Sequence, residues 1–300
     1  MAVLSQVKYE TIYLAIRELH DTGAYPIQKL CEIAGIQRSS YYKWLNRKEN
    51  ANEQINKELL KLVKDAYQER NGILGYRQMA IKLNREHNLK VNHKRIYRLM
   101  RILNLRSVCR RKRKSYVQST PEITAENILN RDFSANQFGE KWLTDVTEMK
   151  YGLDRKAYLS AILDLGDNSI VAFVLGHSNN NELVFKTFDM AREEHPDVIP
   201  LFHSDRGFQY TSRSFQKKLL DAEMTQSMSR VARCIDNGPM EAFWGMLKSE
   251  MYYLKKFSSY DELEAAVIEY IDYYNSHRYQ KRLNCMTPLE YRQHLFNIAA

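Results

Sequence analysis

The chain is poor in cysteine. Cys31, Cys109, Cys234 and Cys285 are the only four in 300 residues, they lie far apart, and no C-x-x-C occurs. That pattern excludes a disulfide framework and a zinc knuckle and predicts reduced thiols in a cytoplasmic protein. No stretch of about 18 consecutive apolar residues occurs, so no transmembrane helix and no membrane partner are expected. The opening MAVLSQVKYETIYLAI is interrupted by Lys8 and Glu10 and followed by Arg17, which does not fit a signal peptide. His and Cys form no cluster, so a soft-metal centre has no obvious ligands.

What the chain has is charge, unevenly placed. Residues 1–120 hold 25 Lys/Arg against 10 Asp/Glu, and residues 121–300 hold 20 against 26. A basic first part on a mildly acidic second part predicts that one grips a polyanion while the other does something else. The chain is also longer than one core usually serves, so several domains are expected.

The first part reads as helices. IQKLCEIAGIQRSSYYKWLNR, 27–47, has a patterned helix ending at Gly35, a turn, and a second helix that Ser39 or Ser40 can cap, carrying Tyr41, Tyr42, Lys43, Trp44 and Arg47. Two short helices joined at a glycine, the second rich in groups that reach bases and phosphates, resemble a helix-turn-helix unit over 1–50. A second such module is expected over 51–105. Its last helix sets Ile96, Leu99, Met100 and Leu103 on one face and Lys94, Arg95 and Arg98 elsewhere. RSVCRRKRKSYVQST, with six basic residues among the nine of 106–114, opens a linker expected over 106–137; Arg110, Arg111, Lys112, Arg113 and Lys114 are its candidate phosphate contacts.

From about residue 138 the texture changes. KWLTDVTEMKY, KAYLSAILDL and SIVAFVLG are strand-like runs. Alternating helices and strands follow, including VIPLFHSD and TQSMS, and a long helix begins near Pro239. This predicts an α/β domain with a mixed sheet over 138–300. Asp145 falls inside the first strand, where an acid is costly unless paired or metal-bound. Asp205 falls at the carboxyl end of the fourth, where sites in α/β sheets gather. Glu241 lies at the edge of the stripe formed by Met240, Phe243, Leu247 and Met251, and Lys248 lies two turns further along that edge. Asp164, at the end of the second strand, rivals Asp145; periodicity does not separate them. Carboxylates without Cys or His favour Mg²⁺ or Mn²⁺ over zinc. The long aromatic helix sets Leu263, Val267, Tyr270 and Tyr274 on one buried stripe, and Arg278, Lys281 and Arg282 are candidates for phosphates.

The motifs WLTDVT, HSDRGFQY and DNGPMEAFWGMLKSE, with 35 residues between Asp205 and Glu241, together resemble the DDE transposases of bacterial insertion sequences, IS-three group, second-reading-frame product. YIDYYNSHRYQKRLNCMTPLEY at 270–291 is similar to the C-terminal signature of that family, and SSYYKW and GYRQM fit the same group. The resemblance implies a ribonuclease-H-like, integrase-type catalytic domain: a five-stranded mixed sheet with flanking helices and a helical C-terminal extension, beside the all-α modules. It implies that Asp145, Asp205 and Glu241 hold two metal ions per active site, that Lys248 contacts DNA, and that Asn237 shapes the turn before Glu241. His203 is read either as a group orienting a metal ligand or as a satisfied buried histidine. The implied partners are double-stranded DNA, both terminal inverted repeats and target, further copies of the chain, and a first-reading-frame protein or fusion. The family often has Ala where Gly238 stands, and Gly or Lys near Val231 and Ala232. The zinc module of integrases is missing, because His87, His93 and Cys109 lack its spacing. Two other readings remain: a DNA-binding regulator without catalysis, and a nuclease that cuts without joining.

Overall fold

A computed structural model describes residues 10–23, 25–48, 51–109, 127–130, 132–229 and 237–299. Arg110 to Lys114, together with Val231, Ala232, Cys234 and Asp236, lie outside them. The chain divides into two compact units, residues 1–108 and 109–300.

The first unit holds six helices among the described residues: α1 (Glu10–Asp21), α2 (Ile27–Ile33), α3 (Arg38–Leu45), α4 (Ala51–Glu69), α5 (Tyr76–Glu86) and α6 (His93–Ile102). Helices α1 to α3 share a small aromatic core of Tyr13, Ile16, Leu30, Cys31 and Tyr41, with Trp44 stacked on Tyr13 at 5.3 Å. Gly35, at φ +66°, takes the left-handed conformation that ends α2. The expected serine cap is absent: α3 starts one residue before Ser39, and Gln37 occupies the cap position with no side-chain bond. Helices α4 to α6 enclose a second core that includes Val63, Met79, Leu83, Ile96 and Leu99. The turn before α6 is closed by Asn92, which accepts from the Lys94 amide at 2.8 Å.

The expected linker of 106–137 is corrected at both ends. Val108 donates its amide to Gly72 O at 3.0 Å and Ser107 Oγ donates to Ile73 O at 2.8 Å, so 106–108 belong to the helical unit. Leu129 is buried in the second unit and donates its amide to Ser227 Oγ at 3.0 Å. Both ends carry groups that gain by packing: amides that pair, and one leucine that leaves water.

The second unit is built on a five-stranded sheet in the order β3-β2-β1-β4-β5. β1 (Lys141–Tyr151), β2 (Arg155–Asp164) and β3 (Ile170–Gly176) form an antiparallel meander. β4 (Leu201–Ser204) then runs parallel to β1, and β5 (Thr225–Met228) parallel to β4. The period-two alternation of β1 sorts its side chains. Trp142 faces a core formed with α7 (Asn181–Glu194), α8 (Phe208–Thr211) and α9 (Arg213–Asp221). Leu143 faces the opposite core, formed with α10 (Gly238–Glu250) and α11 (Tyr260–Ser276). The sheet is therefore covered on both faces, which is the ribonuclease-H-like arrangement. Leu263, Val267, Tyr270 and Tyr274 are the buried stripe of α11, as their spacing predicts.

The last helix, α12 (Pro288–Ala299), is tied to the β2–β3 turn by a buried ion pair. Arg292 donates through Nε to the carboxylate of Asp167, which has no exposed surface, and through Nη2 to Ser169 Oγ at 2.6 Å. Its guanidinium also lies over the Phe138 ring at 3.8 Å. Breaking such a pair strands a buried charge. Arg292→Ala is expected to lower the unfolding free energy by about 3 kcal/mol in urea titrations. A loss below about 1 kcal/mol would mean that Asp167 is solvated without its partner.

Candidate active site

The site begins with strand register. β1 and β4 are parallel, with Leu143 opposite His203, so two residues further on Asp145 and Asp205 stand abreast at the open end of the pair. Asp145 shares its sheet face with Leu143 and so points toward α10. Asp205 follows β4 directly, and its Oδ1 accepts from the Gly207 amide at 2.9 Å, closing a tight turn. A Cβ on Gly207 would meet Gln209 Oε1 at 2.7 Å and Asp205 Oδ1 at 3.0 Å, so a larger residue there would displace these side-chain oxygens.

Helix α10 brings the rest. Asn237 occupies its N-cap position, but the side chain does not cap. Instead Nδ2 donates to Thr144 O at 3.1 Å, pinning the helix start against the residue before Asp145. Glu241 sits half-buried in the first turn. One turn further, Trp244 Nε1 donates to Asp145 Oδ2 at 3.0 Å, while Asp145 Oδ1 accepts from the Val146 amide at 2.8 Å. Lys248 Nζ donates to Glu148 O at 3.1 Å, still on β1. Asn237, Trp244 and Lys248 follow one another at helical spacing and dock α10 along β1 through three bonds.

The electrostatics follow from this placement. Burial, then the Asp205 charge and more weakly that of Glu241, push the Asp145 carboxyl up to about 7, against the pull of the Trp244 and Val146 N–H groups. Burial likewise raises Asp205, with the Gly207 amide opposing. Tyr210 is buried beneath them. Its hydroxyl lies 3.2 Å from Thr144 Oγ1, and burial, then Asp205 and Asp145, hold its phenol well above the ordinary value. Among the described residues no three Asp, Glu, His or Cys side chains stand close enough to cage an ion as they are.

Asp164 is not part of this group. It is fully buried and accepts from Gly139 N at 2.7 Å, Trp142 Nε1 at 3.0 Å, Gly166 N at 2.6 Å and Asp167 N at 3.1 Å. It organises the turn after β2. His203 takes the second of its two readings: its ring nitrogens lie 2.9 Å from Ser227 Oγ and 3.1 Å from Ser229 Oγ, so it ties β4 to β5.

Residues 54–113 match the family described as HTH-like domain, and residues 135–234 and 241–296 each match the family described as Integrase core domain. A putative transposase InsK for insertion sequence element IS150, from Escherichia coli K12, is 38% identical over 273 residues, covering 91% of this chain and 95% of that protein. The chain belongs to the transposases of bacterial insertion sequences. An insertion element IS600 uncharacterized 31 kDa protein from Shigella sonnei is 31% identical, covering 90% of this chain and 100% of its own length. Among solved structures, the HTLV-2 integrase catalytic core domain in complex with magnesium is 18% identical, with a TM-score of 0.42, covering 52% of this chain and 97% of that one.

In the transposase, the basic and aromatic candidates divide. Tyr42, Lys43, Lys94 and Arg98 are exposed. Tyr41 is not: at 1% exposure it belongs to the first helical core, a correction that follows from its packing on Tyr13 and Trp44. Arg95 donates to Asn56 Oδ1 at 2.7 Å and Asn52 O at 3.2 Å, and Arg47 pairs with Glu53, so both brace α4. Arg278, a phosphate candidate by sequence, is buried and held by Glu250 at 2.7 and 3.0 Å. Trp244 was missed, although a buried indole needs an acceptor for its N–H and Asp145 is the acid on the facing strand.

The raised Asp145 carboxyl has a consequence for stability. Its folded value, about 7, lies above its ordinary 3.8, so between those pH values the native state binds more protons than the unfolded chain, and stability due to this group falls as pH rises through that window. In EDTA, the stability of Asp145→Asn relative to the parent should therefore rise by about 1–2 kcal/mol from pH 4 to pH 8, after allowance for solvent. A difference independent of pH in urea titrations would place the Asp145 carboxyl at its ordinary value.

Proposed function

We propose that this transposase binds the terminal inverted repeats of an insertion sequence through its basic helical unit and the 110–114 run, and uses Asp145, Asp205 and Glu241 to cut and join DNA. The observation that carries the reading is the pair of aspartates, Asp145 on β1 and Asp205 directly after β4, with Glu241 on the helix docked beside them.

The donor set fits a hard divalent cation. It consists only of carboxylate oxygens, and a divalent cation would offset both the burial and the Asp205 charge that raise Asp145. Asp145 and Asp205 would be the first holders, with Glu241 on the first turn of α10 completing the set. Mg²⁺ or Mn²⁺, as two ions per site, would activate the attacking oxygen and stabilise the leaving one at a single phosphate. Asn237 holds the start of α10, and so Glu241, against β1. Lys248 donates to Glu148 O, and its ammonium is the candidate phosphate contact on α10.

Two displacements follow in order. Water oxygen joins the phosphorus at the element's end while the 3′ oxygen leaves, giving a free 3′-hydroxyl. That hydroxyl then attacks a target phosphodiester, forming one P–O bond as another breaks. Both ends must be held together, which calls for two or more copies of the chain. It acts on DNA in the cytoplasm, alone or with a first-reading-frame partner.

The deciding experiment is a cleavage and joining assay with purified protein, DNA bearing the element's ends and Mg²⁺ or Mn²⁺. Nicked and joined products are expected, with loss of at least about a thousandfold in Asp205→Asn and Glu241→Gln and end binding within about threefold of the parent. Cutting without joining would make the chain a nuclease, and binding without chemistry a regulator or a partner-dependent enzyme. Neutralising Arg110 to Lys114 together should weaken end binding and reduce the slope of log K against log salt by up to about 4. An unchanged slope in salt titrations would mean that this run does not meet phosphates.

A further inference from the structure

Three side chains fasten α10 to β1, and they are not equivalent. Asn237 and Lys248 bind main-chain carbonyls, those of Thr144 and Glu148. Trp244 binds a side chain, the Oδ2 of Asp145 at 3.0 Å. The indole is 6% exposed and packs against Phe243 at 5.0 Å, so its N–H points one way. It donates without accepting and does not titrate, so it fixes an oxygen without competing for a cation. The other Asp145 oxygen is held by the adjacent Val146 amide at 2.8 Å, a local bond that moves with the strand. The orientation of the carboxylate about its own axis is thus set from outside β1 by one donor on the helix that also carries Glu241. The simpler alternative is a core tryptophan whose N–H merely found a convenient acceptor.

We infer that Trp244 is a positioning residue for metal capture: its indole N–H holds the Asp145 carboxylate in the orientation that an ion shared with Asp205 requires, and couples that orientation to the seating of α10. This rests on the proposed metal site. An oriented ligand binds more tightly than one that must be ordered on binding, and loss of such a supporting bond costs 10–100-fold in metal affinity.

The test is Mn²⁺ binding to the full chain followed by electron paramagnetic resonance, on the parent, Trp244→Phe and Asp205→Asn, with unfolding midpoints and end-DNA binding measured in parallel. Phenylalanine keeps an aromatic ring in the core and removes the donor. The parent is expected to bind Mn²⁺, Asp205→Asn to bind little, and Trp244→Phe to bind at least about tenfold more weakly with end-DNA binding unchanged. In that variant cleavage should return as Mn²⁺ is raised, a shift in metal requirement that a purely structural role does not produce. If Trp244→Phe is too unstable to measure, benzothienylalanine at position 244, the same shape with sulfur in place of N–H, gives the same comparison. Equal Mn²⁺ affinity in the parent and the donor-free protein overturns the inference and leaves the metal site standing. No Mn²⁺ binding by the parent overturns the metal reading itself, and the inference with it.

Discussion

The parallel pairing of β1 with β4 is the constraint on which the catalytic unit turns. It sets Asp205, just past the end of β4, beside Asp145 inside β1, where burial and then the Asp205 charge raise the cost of ionising Asp145. The surroundings bear this cost with N–H groups from three directions: Val146 on the strand, Gly207 in the turn and Trp244 on the helix. The short strands beyond are braced from within. His203, buried between Ser227 and Ser229, joins β4 to β5 by side chains as well as by main chain. A four-residue strand that carries a reacting group gains from such bracing, because few ladder bonds hold it otherwise.

In the helical unit, burial decides which cations remain for a polyanion. Two cores in about a hundred residues leave little room, and the basic residues nearest them are drawn into holding helices together, as Arg95 and Arg47 are on α4. Lys94 and Arg98, on the same helix as Arg95, stay in solvent. Net charge is therefore a good guide to the class of partner and a poor guide to which side chain meets it.

The architecture was legible in the sequence because it rests on period. β1 runs over the residues that alternate as a strand, and α10 and α11 bury the faces that their spacing implies. The two aspartates were legible as costly placements, one inside a strand and one at its end. What period does not carry is the identity of a partner a hundred residues away. Tyr41 and Arg278 look like binding groups because their chemistry suits nucleic acid, yet one is core and the other neutralises Glu250. Trp244 lies beside the apolar stripe of α10, and nothing local indicates that its N–H reaches Asp145 on β1. The register of β1 against β4, which makes the site, is a long-range fact: β2, β3 and α7 separate the two strands in the chain.

The choice between Asp145 and Asp164, undecidable by pattern, turns on how much binding capacity each carboxylate has left. Both accept an indole N–H at 3.0 Å, from Trp244 and from Trp142. A carboxylate offers about four lone-pair positions. Asp164 fills them: three main-chain amides join its indole, and no surface is exposed. Such an acid cannot take a ligand without releasing the turn it organises. Asp145 has one amide beside its indole among the described residues, is half-buried, and lies against a second acid. The Asp205 charge acts on it directly. The two are the same residue type, and what separates them is how many donors the fold has already assigned to each; that difference makes one a structural anchor and the other a ligand in waiting.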